Sequence, residues 1–366
     1  MKILYGVQGT GNGHLSRARQ LGPELIKLGA QIDWVMSGRA RDEYFDMAEF
    51  NDFQTYQGLS FQVKNGKIEL WKTWQKLQLK QCISDINQLD TRQYDLVISD
   101  YEPITAWAAR RQKTPSLGLA HQYAFLHPSV PKIGHHWVGN ALLKYFAPTQ
   151  LTLGLHWHHF DAPILPPIFG VSGNLEAAQP DASQVLVYLP HDSIAQLLPI
   201  FNAHPNYQWH VFTQEVTPQQ IGSVHIHALS RPVFLQKLHQ STHVLCAAGF
   251  ELVSEALSLG RNILVKPLQQ QTEQIANAKA LSLLEYATVT HRLDLQTVQQ
   301  WLYHGRIVRV NYPNVAHSLA QKIMQGRWET LSTELIDLWR DCSMPDPSWL
   351  APTSIESNRE LALTEL

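Results

Sequence analysis

A histidine that closes a glycine-rich turn and a carboxylate at the end of a buried strand are the residues of this chain best suited to move a proton. The first stands in Gln8-Gly-Thr-Gly-Asn-Gly-His14, between an apolar strand at 3–7 and a helical pattern at 15–28. Imidazole titrates near neutrality, so at a helix start facing a cleft His14 is fit to take a proton from an attacking hydroxyl; its plainer role is to cap the helix. The second, Asp100, follows the apolar run 95–99 and precedes Tyr101-Glu102-Pro103, where proline opens the next helix. Both lie at carboxyl ends of strands. Asp100 is therefore expected either to orient His14 or to cap the helix at 103–111.

A different chemistry is written at 243–285. The apolar strand 243–248 ends at Gly249, and the chain turns at once into a helix at 250–259. A residue without Cβ lets a bound group approach the free N–H groups of a helix start, and such an end attracts phosphate. Gly11, Asn12 and Gly13 suit the same purpose before the first helix. Glu251 and Glu255 share one face of their helix, opposite Leu252, Ala256 and Leu259, and Gly260 closes it. A second strand at 262–268 runs to Gln269-Gln270-Gln271 and then to a helix opening with Glu273-Gln274 and carrying Asn277. Polar groups thus gather at the carboxyl ends of successive strands, where open α/β sheets bind ligands.

The elements that must hold these residues alternate strand and helix through most of the 366 residues, which predicts α/β architecture with two doubly wound, mostly parallel sheets. A proline-rich, weakly periodic stretch at 163–184 reads as a linker between a first domain at 1–162 and a second at 185–312. A cleft is expected between them. The helical pattern at 314–339 and the loose composition of 342–366 complete the chain. An Asn65-Gly66 turn predicts a hairpin around 59–69, followed by a helix at 71–90.

Several classes are excluded. Lys plus Arg total 29 against 31 Asp plus Glu, which leaves no general attraction to nucleic acid. Three scattered cysteines make neither a disulfide framework nor a metal knuckle, which fits a reducing, cytoplasmic setting. The amino terminus lacks the apolar core of a signal peptide, and no apolar stretch reaches the ~18 residues of a membrane span. The first loop is not a Walker sequence, and its spacing departs from the dinucleotide fingerprint, which disfavours NAD. The histidines between 123 and 160 follow no zinc spacing, so no metal and no cofactor are expected. That aromatic segment reads either as an acceptor surface with peripheral membrane contact, at the inner face of a membrane, or as a buried helix at 137–146.

Gly249, Glu255, Gly260, Pro267, Glu273-Gln274 and Asn277-Ala278, in this order, resemble the donor segment of nucleotide-sugar glycosyltransferases of the GT-B type. More narrowly, they resemble the lipid-II-forming N-acetylglucosaminyltransferase family and uncharacterised microbial relatives. Gly13-His14 and Ser99-Asp100-Tyr101-Glu102-Pro103 look like the corresponding first-domain strings. Two departures are Ala248-Gly249 for a Gly-Gly turn and Glu273-Gln274 for Asp-Gln. The resemblance implies two Rossmann-like domains with a last helix crossing back to the first. It implies a nucleoside diphosphate sugar, UDP-linked hexose or N-acetylhexosamine, held by Gly249 with Ala248 and Phe250, by Glu255 on the ribose, and by Gln270, Glu273 and Gln274 on the sugar. Arg231 or Phe234 would meet the base. Glu102, His121 and Tyr123 would face a hydroxyl acceptor, lipid-linked or glycan. Transfer would invert the anomeric carbon, with helix dipoles and N–H groups in place of Mg²⁺, since no Asp-x-Asp string occurs. A nucleotide-sugar hydrolase, a 2-epimerase and a non-catalytic binding protein are the alternatives.

Overall fold

The computed structural model describes residues 1–58, 63–64, 67–68, 76–132, 143–170, 179–213, 215, 217–269, 271–326, 328 and 330–345. Two parallel sheets dominate. The first is built from β1 (Lys2–Gln8), β2 (Gln31–Ser37), β3 (Phe53–Tyr56), β6 (Leu96–Asp100), β7 (Ser116–Ala120) and β8 (Leu151–Gly154). Their order is β3-β2-β1-β6-β7-β8, every pairing parallel. β4 (Val63–Lys64) and β5 (Lys67–Ile68) form a separate antiparallel ribbon, and the turn at Asn65-Gly66 lies outside the described residues. Helices α1 (Asn12–Lys27), α2 (Lys76–Gln88) and α3 (Pro103–Gln112) cover this sheet.

The second sheet holds β9 (Asp181–Tyr188), β10 (Gln208–Phe212), β11 (Gln219–Ile221), β12 (Val224–His227), β13 (Ser241–Cys246), β14 (Asn262–Val265) and β15 (Thr288–Val289). Its order is β11-β12-β10-β9-β13-β14-β15, with only β11 antiparallel, on the edge. Its helices are α4 (Ile194–Asn202), α5 (Arg231–Gln240), α6 (Phe250–Ser258), α7 (Thr272–Leu283) and α8 (Leu295–His304). Continuous apolar runs such as Val185-Leu186-Val187 and Val244-Leu245-Cys246 are fully buried, as strands covered on both faces must be. In each sheet the strand order reverses once, between β1 and β6 and between β9 and β13. Ligands of doubly wound sheets bind at the carboxyl ends beside that reversal. The loops carrying Gly11–His14, Asp100 and Gly249 all lie at such points.

The sequence placed several elements differently. Leu151–Gly154 is a strand inside the aromatic segment, and Phe53–Tyr56 is an edge strand; four residues are too few to show a period. The helix expected at 137–146 lies largely outside the described residues, as does the tail from 346. The pattern at 314–339 is not one helix. It divides into α9 (Val315–Met324), α10 (Leu331–Glu334) and a 3-10 turn at Ile336–Asp341, because Gly326 adopts φ +72 and ends the first helix. The stretch at 163–170 is no free linker either: Ile164, Leu165 and Ile168 are buried, since the apolar residues between the prolines still repay packing.

α9 lies against α1. Val315, Leu319 and Ile323 join one apolar cluster that runs from Ile3, Leu15 and Leu21 to Phe250, Val253 and Leu281, and His317 Nδ1 stands 2.8 Å from Glu24 Oε2. The two sheets therefore share a core, and no helix among the described residues is long and apolar enough to cross a membrane.

Candidate functional site

β1 delivers the chain at the carboxyl edge of the first sheet, and α1 begins three residues earlier than the apolar pattern suggests, at Asn12. His14 is thus in the first turn of the helix. Asp100 ends β6, the neighbour of β1, with Val7 paired to Asp100. The two side chains meet: His14 Nδ1 is 2.6 Å from Asp100 Oδ1. Asp100 is fully buried, and its helix is capped by another residue, so the alternative of a capping Asp100 is not what the structure contains. Burial opposes the Asp100 charge, but Arg17 and His14 outweigh it and hold the carboxyl below the ordinary aspartate range. An ionised Asp100 only accepts hydrogen bonds, so Nδ1 is the nitrogen that donates to it, and in the neutral ring the lone pair falls to Nε2. Nε2 has no partner among the described residues, and the ring keeps 13% exposure.

Arg17, one turn further along α1, is also fully buried. Its Nε donates to Asp100 Oδ2 and its Nη2 to Asp100 Oδ1, both at 2.7 Å. Its Nη1 reaches across to Glu251 Oε1 in the first turn of α6, again at 2.7 Å. Burial disfavours the guanidinium charge, yet Asp100 and Glu251 reverse that and raise its pKa. The sequence marked Glu251 only as sharing a helix face with Glu255, and gave Arg17 no role; the i, i+3 spacing of His14 and Arg17 on one helix face was the available signal.

The glycines divide into two kinds. At Gly11 and Gly249, the caps of α1 and α6, φ is −123 and −76 and an added Cβ would meet no atom within 4 Å. Neither conformation nor packing demands glycine there; the space is open at two helix starts. Gly13 differs from the expected ligand contact, since its Cβ would stand 2.2 Å from Glu251 Oε2. It is small because Glu251 docks on it. Asn12 accepts from Arg39 Nη2 at 3.1 Å and hydrogen-bonds Tyr188 at the end of β9.

On the second sheet, Ala248 is buried and its carbonyl accepts from Asn277 Nδ2 at 3.0 Å. Phe250 is buried against His121, the rings 4.0 Å apart and 7° from parallel. Glu255 is only 4% exposed. Burial pushes its carboxyl up to about 7, against the pull of Arg231 and a hydrogen bond from Ser16. Arg231 in turn donates to Ser16 Oγ at 3.0 Å, and its backbone N–H to Asp46 Oδ2 at 2.9 Å. Glu255 and Arg231 are thus covered by α1. Phe234 is half-buried, edge-on to Tyr188 and Phe212. Glu273 accepts from Gln122 of the first half at 3.0 Å, and Gln274 Oε1 accepts from Leu268 N–H at 2.8 Å. Gln270 lies outside the described residues. A pocket of about 170 Å³ opens beside these groups at the ends of β9, β13 and β14, lined among others by Asp192, Ala247, Gln269 and Lys266, which pairs with Asp192.

The three residues expected to face an acceptor do not. Glu102 is fully buried: its carboxylate caps α3, accepting from Ile104 N–H, Thr105 N–H and Thr105 Oγ1, because Pro103 puts it at the cap position. Tyr123 is 1% exposed and donates to Ala147 O at 2.6 Å. His121, also 1% exposed, joins the two halves instead, with Nδ1 2.7 Å from Leu155 O and Nε2 2.6 Å from Asn277 Oδ1. Trp157, which nothing in the sequence marked, donates from Nε1 to Ser254 Oγ at 2.9 Å. Among the described residues no three His, Cys, Asp or Glu side chains are grouped to hold a metal ion.

The arrangement is an imidazole against a buried carboxylate, beside two open helix starts. The sequence model of glycosyl transferase family 1 matches residues 1–305. The fold is similar to glycosyltransferase SnogD from Streptomyces nogalater at 15% identity, covering 92% of this chain and 99% of that one, TM-score 0.54. It is similar to Arabidopsis thaliana UGT89C1, solved with UDP, at 12% identity, 92% and 99% coverage and TM-score 0.56. Acinetobacter baumannii MurG aligns at 17% identity over 89% and 99%, TM-score 0.50. These likenesses establish the GT-B fold. No curated protein matches the chain.

Proposed function

Because the chain belongs to glycosyl transferase family 1, and is therefore a glycosyltransferase, we propose that it moves a sugar from a nucleoside diphosphate to a hydroxyl acceptor, with His14 as the base. The observation that carries this reading is the 2.6 Å contact of His14 Nδ1 with Asp100, which leaves Nε2 as the proton acceptor. The diphosphate takes the open starts of α6 and α1, where Gly249 and Gly11 leave room and free N–H groups and helix dipoles favour an anion. Its ribose takes Glu255, in the place now held by Ser16. The sugar takes the pocket at the ends of β9, β13 and β14, near Glu273. UDP is the nucleotide we favour, since UGT89C1 was solved with it.

The acceptor oxygen then attacks the anomeric carbon from the side opposite the phosphate, and its proton passes to His14 Nε2. The bond from that carbon to the diphosphate oxygen breaks, and the configuration inverts. Asp100 stabilises the imidazolium that forms, as a buried carboxylate does in other base–orienter pairs. The diphosphate leaves with its charge held by the helix starts.

Thermal melting with UDP, dTDP, GDP and NAD tests the donor site, because a ligand of the folded state alone raises the melting temperature. One nucleoside diphosphate is expected to do so, and Gly249→Ala to lose most of the shift. Product analysis with UDP-sugars and a hydroxyl panel is expected to show transfer that His14→Ala abolishes while leaving UDP affinity within a few-fold. Stabilisation by NAD alone would overturn the reading; free sugar released without any acceptor would favour a hydrolase.

A further inference from the structure

The site described so far assigns no task to the most elaborately bonded side chain in it. Arg17 has no exposed surface, and it spends all three guanidinium nitrogens on two carboxylates, Asp100 at the end of β6 and Glu251 in the first turn of α6. We propose that Arg17 is the positioning residue that ties the His14–Asp100 pair to the docking of α6, so that the pair is set only when the two halves are closed. The inference rests on the glycosyl-transfer reading for its kinetic consequence, and on the geometry alone for its structural one.

Three observations carry it. Asp100 is held by two parallel N–H bonds from Arg17, an arrangement that fixes the plane of a carboxylate and so the direction in which Oδ1 meets His14 Nδ1. The third bond, from Nη1 to Glu251 Oε1, is made to the first turn of the helix whose start is open at Gly249. And Gly13 is shaped for that contact, since a Cβ there would stand 2.2 Å from Glu251 Oε2 while Gly11, two residues earlier, is unobstructed. The sequence has thus made room for Glu251 on the helix that carries His14.

Charge gives the contact a second consequence. A carboxylate in the first turn of α6 repels a diphosphate seated at that helix start unless it is neutralised, and Arg17 neutralises it. Arg17 without Glu251 would instead pull harder on Asp100. Asp100 on β6, Glu251 on α6 and Tyr5 on β1, whose hydroxyl burial and the Asp100 charge keep protonated, are the titratable groups around the guanidinium besides His14.

The test is a cycle of Arg17→Met, Glu251→Gln, the double variant and Gly13→Ala in the full chain. Three readouts are taken: UDP and inorganic pyrophosphate affinity by calorimetry, kcat for transfer, and the His14 Nδ1–H signal in ¹⁵N-histidine NMR, assigned by its loss in His14→Gln. Glu251→Gln and Gly13→Ala are expected to lower kcat about 10- to 100-fold, the scale of a small misplacement of a reacting group, with UDP affinity within threefold of the wild type. Arg17→Met is expected to weaken UDP about tenfold, and the double variant to regain that affinity without regaining kcat, its kcat no lower than that of Arg17→Met alone. The Nδ1–H signal should broaden or vanish in all four. Multiplying kcat losses in the double variant, or an unchanged Nδ1–H signal in Arg17→Met and Glu251→Gln, would overturn the proposal. Failure of UDP and pyrophosphate to bind the wild type would sink the glycosyl-transfer reading, while the NMR signal still judges Arg17.

Discussion

His14 and Asp100 are 86 positions apart in the chain and 2.6 Å apart in space, and each has a distinct expected consequence. If Asp100 fixes the tautomer, Asp100→Asn should lower kcat by a factor comparable to His14→Ala, on the order of 10² to 10⁴ for loss of a positioned base, with donor KM nearly unchanged. Steady-state kinetics of both variants check this. Glu255 carries a pH signature instead. Unfolded, its carboxyl titrates near 4.5; folded, burial lifts it to about 7, so the folded state holds the extra proton between those values. Its contribution to stability is whole below 4.5 and is lost as pH rises through 7, by roughly 3 kcal/mol at 1.36 kcal/mol per pH unit. Asp100, held low, acts in the opposite direction and only on the acid side. Urea unfolding of Glu255→Gln across pH 4 to 8 should therefore fall less steeply above 4.5 than the wild type. That His14 and Asp100 lie on one edge of the sheet was legible from their places at strand ends. Arg17 was not: arginine is ordinary on a helix, and its role comes from a glutamate 234 positions away.

At the scale of elements, the glycine turns make the sharpest prediction. Gly249→Ala puts a methyl where no protein atom lies within 4 Å, at a φ of −76 that alanine adopts freely. Its melting temperature should match the wild type, with a stability change under about 1 kcal/mol, and its UDP affinity should fall; calorimetry beside thermal melting separates the two. Gly6 is the opposite case. Its Cβ would stand 2.1 Å from Thr105 Oγ1 and 2.8 Å from Glu102 Oε2, so Gly6→Ala pushes α3 off β1 and should cost about 1 to 3 kcal/mol in urea unfolding, as overpacked cores do. Glu102 is the lesson at this scale. The sequence turned it toward an acceptor and offered Asp100 as the cap, but its place just before Pro103 makes Glu102 the cap, and three hydrogen bonds inside the fold hold its carboxylate there. Long apolar runs were readable as strands because both faces are covered; the four-residue strands Phe53–Tyr56 and Leu151–Gly154 were not, because pairing with a neighbour, rather than their own pattern, makes them strands.

The whole molecule is two sheets that share one parallel strand order, the second with β11 added antiparallel at its edge, joined through one apolar cluster and clasped by α9 on α1. Leu319 of α9 is fully buried in that cluster. Leu319→Ala should cost about 2 to 5 kcal/mol, and unfolding monitored on tryptophan fluorescence and on far-UV circular dichroism should lose it in one shared transition. Two transitions would mean that the halves fold separately and that α9 belongs to one of them.

What the sequence determined by itself is local or periodic. Burial on both faces wrote the parallel strands, glycine and proline wrote the turns, and the order of glycine, glutamate and glutamine motifs carried the likeness to the family. Tertiary structure alone decided which groups meet. Whether His121 and Tyr123 look outward or into the shared core depends on Phe250, Asn277 and Ala147, residues that arrive from other elements. Whether Arg17 serves its own helix or the facing one depends on a Glu251 that only the docking of α6 brings near. A side chain's identity fixes what it is able to bond, but its partner is set by which surfaces pack, and packing is a property of the chain as a whole.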